Sequence, residues 1–121
     1  MEYLNYIIIG LLLIFIIRRF IPTKGVRQIT ALELRDELED KNKQFIDVRT
    51  PGEYRVNNIK GFKNIPLQQI MQKAEKEISK DKEVIVICQS GMRSQNAIKM
   101  LKKLGYTKVT NVKGGMNAWR S

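Results

Sequence analysis

Histidine is absent from the 121 residues, and cysteine occurs once. The first absence removes Cys-His and Ser-His nucleophilic catalysis, imidazole metal ligands and a histidine general base together. The second excludes an internal disulfide and an all-cysteine metal site; no metal and no cofactor is expected. Acidic residues are also in short supply, 12 against 22 Lys+Arg, for a net charge of +10. Such an excess favours anionic company: a small anionic substrate, an anionic membrane surface or nucleic acid; the bland alternative is lysine serving solubility. Aromatics do not interleave with the Lys-rich pieces, such as residues 73–82. Those pieces read as the solvated face of a helix, and nucleic acid is not expected as a partner. No internal repeat and no low-complexity tract is present. The length allows one domain and an appendage.

The appendage is N-terminal. From Tyr3 to Ile17 the only clearly polar residue is Asn5, and Arg18-Arg19 close the run before Phe20-Ile21. Spanning a bilayer takes about 20 residues, with about 17 as the low end. The segment reaches that end if both arginines snorkel toward the headgroups. A cleaved signal peptide wants a positive start and a small-residue cleavage site. Glu2 is the only charge before the run, and Pro22-Thr23-Lys24-Gly25 offers no such site. The expectation is one uncleaved transmembrane anchor helix over residues 1–21, in contact with the membrane through residues 3–21, then a linker at 22–25 and a compact domain at 26–121. Arg18, Arg19, Lys24 and Arg27 all follow the helix, so the positive-inside rule places a single-pass protein in the cell membrane with its C-terminal domain in the cytoplasm. That compartment keeps a free thiol reduced.

Within the domain one stretch stands out, Val84-Ile85-Val86-Ile87-Cys88-Gln89-Ser90-Gly91-Met92-Arg93-Ser94. Four consecutive β-branched residues read as a strand buried on both faces. The chain then breaks into a short polar loop holding the cysteine and enters a helical pattern. A strand, a tight loop and a helix N-terminus build an anion cradle from inward-facing N–H groups and the helix dipole. A thiol at the bottom of it is expected to ionise readily, and the thiolate is the nucleophilic form. The alternative is a buried, inert cysteine at a strand end; the Ser, Gly and Arg that follow favour the reactive reading.

The rest of the domain alternates strands and helices. Strand candidates fall at 26–29, 44–49, 61–65, 84–88 and 109–112. Thr30-x-x-Glu33 is a capping box, opening a helix with Leu32, Leu34 and Leu38 on its inner face. Residues 51–58 read as a short helix. Pro66 opens another, in which Leu67, Ile70, Met71, Ala74 and Ile78 recur at helical spacing as core. Ala97, Ile98, Leu101 and Leu104 share a face of the helix after the cysteine, and Gly105 caps it. Gly114-Gly115 turns into a terminal helix whose Trp119 is read as core packing. The alternation argues for a parallel sheet covered on both faces, with ligands beyond the carboxyl ends of the strands. Asp47-Val48-Arg49 and Cys88 both lie at such ends.

Four segments in order, Asp47-Val48-Arg49-Thr50-Pro51-Gly52-Glu53-Tyr54, then Ile59-x-Gly61-Phe62-x-Asn64-Ile65-Pro66, then Cys88-x-x-Gly91-x-Arg93-Ser94, then Gly114-Gly115-Met116-x-Ala118-Trp119, resemble the rhodanese domain. The resemblance covers essentially all of 26–121. It implies a five-stranded parallel α/β sheet flanked by helices, and sulfane-sulfur transfer through a persulfide on Cys88. It also implies structural or site-supporting roles for Asp47, Arg49 and Glu53. The chain departs from the family pattern at Asn57-Asn58-Ile59, where many relatives carry Gly-His-Ile.

Four residues separate Cys88 from Arg93. Cysteine phosphatases of similar design use five, in a wider cradle for a tetrahedral oxyanion; the shorter loop suits a single transferred sulfur. The expected partners are a small anionic sulfur donor such as thiosulfate and an external acceptor, a thiol, a protein cysteine or cyanide, because the chain has no second cysteine to receive the sulfur. The expected persulfide site is the backbone of residues 89–94, with Gln89 and Met92 at the entrance and Ser90 and Gly91 in the turn. Ser94 caps the helix or donates to sulfur. Arg93 has two readings, contact to the donor or brace of the loop. A second functional class stays open, a membrane-docked persulfide carrier or a non-catalytic interaction module.

Overall fold

The computed structural model describes residues 2–20 and 25–120, with residues 19 and 20 described as backbone only. Helix α1 spans Glu2–Phe20, and every large apolar side chain from Tyr3 to Ile17 is exposed along it. The transmembrane span expected over 1–21 is not supported: among the described residues no helix is long and apolar enough to cross a membrane. The uncharged run from Tyr3 to Ile17 covers about 22 Å at about 1.5 Å per residue, against a hydrocarbon core of about 30 Å. The single-pass orientation drawn from the flanking charges is therefore not supported either. Residues 22–24 of the linker, with Lys24 among them, and the side chain of Arg19 lie outside the described residues.

Five parallel strands follow: β1 (Arg27–Ile29), β2 (Lys43–Asp47), β3 (Lys63–Asn64), β4 (Glu83–Ile87) and β5 (Val109–Val112), in the order β1-β5-β4-β2-β3. Each crossover carries helical chain: α2 (Ala31–Glu37), α3 (Pro51–Val56), a 3-10 turn at Leu67–Gln69 leading into α4 (Ile70–Glu77), and α5 (Met92–Lys103). The short α6 (Gly115–Ala118) follows β5. The expected α/β sheet is present.

Strand β4 lies between β2 and β5, so both its faces are covered, which is why its sequence is apolar without alternation. Val84, Val86 and Cys88 face one core layer, with Ile70 and Ala74 of α4 and Ala97, Ile98 and Leu101 of α5. Ile85 and Ile87 face the other, with Leu34 of α2 and Met116 of α6. Two side chains assigned to the core are outside it. Leu32 is 75% exposed and Met71 50%. Leu34 and Leu38 stand one turn apart on the same face, and Leu32 lies two residues from Leu34, on the far side of the helix. Met71 likewise steps off the row of Ile70, Ala74 and Ile78. Trp119 is partly buried against the second layer, with the Arg35 guanidinium 5.2 Å from its ring centroid.

The sheet brings two carboxyl ends together. Asp47 pairs with Ile87 in the β2–β4 ladder, and the Val48 N–H donates to the Ile87 carbonyl at 3.0 Å. The Asp47-Val48-Arg49 segment and Cys88 therefore leave the sheet side by side.

Candidate active site

Cys88 is the first residue past β4, and its side chain is fully buried. The backbone returns over it through Gly91, whose φ of +107° lies in the left-handed region that glycine occupies freely. This turn aims the Gly91 N–H at the sulfur, with nitrogen 2.8 Å from Sγ. Helix α5 begins at the next residue, so its positive dipole end faces the loop. Ser94, buried in the first turn of α5, places Oγ 3.4 Å from Sγ.

Helix α6 closes the loop from behind. The Met116 N–H donates to the Cys88 carbonyl at 2.8 Å and the Asn117 N–H to the Gln89 carbonyl at 3.0 Å. The approach is so close that a Cβ on Gly115 would stand 2.2 Å from the Cys88 oxygen. Only glycine fits there.

A buried ion pair supports the loop from the β2 side. Asp47 and Arg49 are 0% and 2% exposed, and Asp47 takes three contacts of 2.9–3.1 Å from the Arg49 side chain and one of 3.0 Å from its N–H. The remaining guanidinium hydrogens reach the Asn57 carbonyl at 2.5 Å and Gln89 Oε1 at 3.2 Å. Gln89 donates in turn to Asn117 Oδ1 at 2.7 Å, so one side chain joins β2, the loop and α6. Burial of the pair is tolerated because so many of its polar atoms are matched.

Arg93 pairs with a carboxylate of α3. Its guanidinium donates to both Glu53 carboxylate oxygens, at 2.6 and 2.9 Å. Glu53 also completes a capping box with Thr50 at the start of α3. The Arg93 hydrogen bonds, and after them the Thr50 N–H, hold the Glu53 carboxyl down at about 2, and the same contact raises Arg93. The pair ties the first turn of α5 to the first turn of α3.

Of the residues expected in the site, Cys88, Gly91 and Ser94 meet around the sulfur, while Gln89, Asp47, Arg49, Glu53 and Arg93 form its supports. Ser90 and Met92 are exposed. A cleft of about 410 Å³ adjoins the loop, lined by Arg49, Gly52, Glu53, Val56, Asn57 and Gln89. Gln89 lines this cleft, and Met92 lies at the first position of α5. The departing pair Asn57-Asn58 ends α3: Asn58 Nδ2 donates to the Tyr54 carbonyl at 2.8 Å. Three polar side chains join the site beyond those the sequence points to: Asn111, whose Oδ1 accepts from Ser94 Oγ at 2.5 Å, Gln28, which accepts from Asn111 Nδ2 at 2.8 Å, and Asn117. Asn111 follows Thr110 in the short strand β5, where both are buried. Thr50-x-x-Glu53 carries a signal in the sequence, a capping box as plain as that of Thr30.

The family model for the rhodanese-like domain matches residues 30–121. The chain belongs to that family. A putative sulfurtransferase of Bacillus subtilis, YtwF, is 39% identical over 95 residues, covering 78% of this chain and 90% of the relative. A sulfurtransferase of Allochromatium vinosum is 35% identical, covering 78% and 88%. The crystal structure of a rhodanese-like domain protein from Staphylococcus aureus superimposes with a TM-score of 0.72 at 33% identity, over 79% of this chain and 93% of that one. The rhodanese-like chain therefore has sulfurtransferases among its relatives, and its cysteine loop follows the carboxyl end of its own β4.

Proposed function

We propose that this rhodanese-like domain transfers sulfane sulfur from an anionic donor such as thiosulfate to a thiol or cyanide, through a persulfide on Cys88. The observation that carries the reading is the sulfur's setting: Sγ receives the Gly91 N–H at 2.8 Å at the mouth of α5. The Cys88 thiolate attacks the outer sulfur of thiosulfate; an S–S bond forms, the donor's own S–S bond breaks, and sulfite leaves with the electron pair. The backbone N–H groups of residues 89–94 then hold the persulfide anion. An acceptor thiolate attacks the outer sulfur and returns Cys88 as thiolate. Because Cys88 is buried, the donor's outer sulfur reaches Sγ only as the loop gives way around it. The test is turnover: thiosulfate with cyanide yields sulfite and thiocyanate in the native chain and neither in a folded Cys88→Ser variant. Turnover retained in that variant contradicts the reading.

A carrier role is the second reading. The chain has one cysteine, so sulfur received there leaves only to another molecule, which is what a carrier requires. Delivery of the sulfur to a protein cysteine but not to small thiols or cyanide would select it.

For α1 we propose contact with lipid through its apolar side chains. Its apolar side chains cover the whole circumference, which suits an apolar medium and not a face packed on one partner. The full chain is expected to float with lipid vesicles and to stay bound in high salt. Release by salt, or no flotation, would overturn this.

A further inference from the structure

The C-terminal part of α1 lies beside α5, and the two helices border a cleft of about 400 Å³ lined by Phe15, Arg18, Asn96 and Lys99. Phe15 is 63% exposed, so an aromatic ring and two cations face one open space. On α5 itself, Met92, Asn96, Lys99 and Lys103 are exposed. Their spacing of four, three and four residues sets them in one row along the helix. Ala97, Ile98 and Leu101 bury the other side of α5 against the sheet, so this row looks away from the domain.

The cations of this surface have no anion of their own. Helix α5 contains no acidic residue, and among the described residues Arg18, Lys99 and Lys103 make no ion pair. Elsewhere the structure matches its charges: Arg27, Lys43, Lys63 and Arg93 each reach a carboxylate. Lys99 and Lys103 stand one turn apart as like charges, an arrangement that weakens a helix. An anion from outside relieves it. The apolar wall of the cleft selects the kind of anion. A lipid carries a charged headgroup and an acyl chain on one molecule. Free phosphate offers nothing to Phe15, and nucleic acid offers nothing to the aliphatic run that leads into it.

We propose that this cleft and the outer row of α5 bind anionic lipid headgroups, the anionic oxygens at Arg18, Lys99 and Lys103 and the acyl chain along Phe15 and α1. The inference rests on the lipid contact proposed for α1 and adds to it a choice of lipid and the side of the domain that meets the surface.

In the test, the full chain is offered two vesicle populations at once, separable by density: phosphatidylcholine alone, and phosphatidylcholine mixed with phosphatidylserine. Total flotation reports on α1, and the ratio between the populations reports on the cleft, so the two readings fail separately. The native chain is expected to favour the anionic vesicles and to lose that preference, though not its flotation, in high salt. A basic residue close to an anionic surface contributes about fivefold, so Lys99→Gln is expected to lower the ratio about fivefold and Lys99→Gln with Lys103→Gln roughly 25-fold. Lys41→Gln, at an exposed position in the turn after α2, removes an equal charge away from the row and is expected to leave the ratio nearly unchanged. An even distribution of the native chain overturns the proposal. So does an equal loss in Lys41→Gln, which would assign the preference to net charge alone. An oligonucleotide that binds the chain and weakens with Lys99→Gln, while the vesicles do not tell the variants apart, would overturn it in favour of nucleic acid.

Discussion

The Arg93 guanidinium grips both carboxylate oxygens of Glu53, binding the cysteine loop to α3 and leaving the sulfur to backbone N–H and hydroxyl groups. A bidentate grip depends on the planar fork of arginine, which lysine lacks. Arg93→Ala is expected to lower stability by about 0.5–1 kcal/mol, the range of a solvent-accessible pair, and to slow transfer. Arg93→Lys is expected to resemble Arg93→Ala in both. Urea unfolding and steady-state rates check this; recovery of the KM for an anionic donor in the lysine variant would instead mark Arg93 as a donor contact.

The same pair predicts an acid response. Glu53 is held at about 2 in the folded chain against an ordinary 4.5. A lowered folded value contributes stability that is present above 4.5 and lost as pH falls through about 2. Glu53→Gln is therefore expected to flatten that part of the stability curve between about 4.5 and 2 while leaving its slope above 5 alone. Thermal melts of both proteins over this range measure the difference; identical slopes would contradict it.

Breaking the Asp47–Arg49 pair leaves one charge buried and unmatched. Asp47→Ala or Arg49→Ala is expected to cost about 3–5 kcal/mol, far more than Arg93→Ala, although each replaces one member of one ion pair. Denaturant midpoints on the three variants test the ordering.

At Gly115 the space itself is the argument. A methyl group there meets the Cys88 carbonyl at 2.2 Å, so α6 must withdraw from the loop. Gly115→Ala is expected to lose about 1–3 kcal/mol and to lower transfer more than stability alone explains, because the Met116 N–H loses its hold on Cys88. A fully active, equally stable variant would show that α6 does not position the loop.

The route from sequence to site was clearest where local chemistry and global position agree. Four β-branched residues ending in Cys88 signal a central strand, and a strand running into a glycine turn and a helix signals the cradle. The partner of Arg93 was not legible, because Glu53 is distant in the chain and only the β2–β4 register brings it near. Asn111 follows the equally polar Thr110, and its bond to Gln28 crosses a ladder that the sequence does not reveal. Leu32 and Met71 lie off the core because the helical rotation turns them away from Leu34 and Ile70, which apolar spacing alone does not show. The N-terminal run approaches the length of a span only when residues beyond Arg18 count toward it, and the uncharged segment alone falls short.

The central claim is that Cys88 carries sulfur, and intact mass tests it most directly. The full chain is incubated with thiosulfate, freed of excess and weighed. The account predicts a gain of one sulfur atom that cyanide removes as thiocyanate and that Cys88→Ser never shows. An unchanged mass with thiosulfate and with every persulfide or polysulfide donor would contradict it and leave the domain as a binding module.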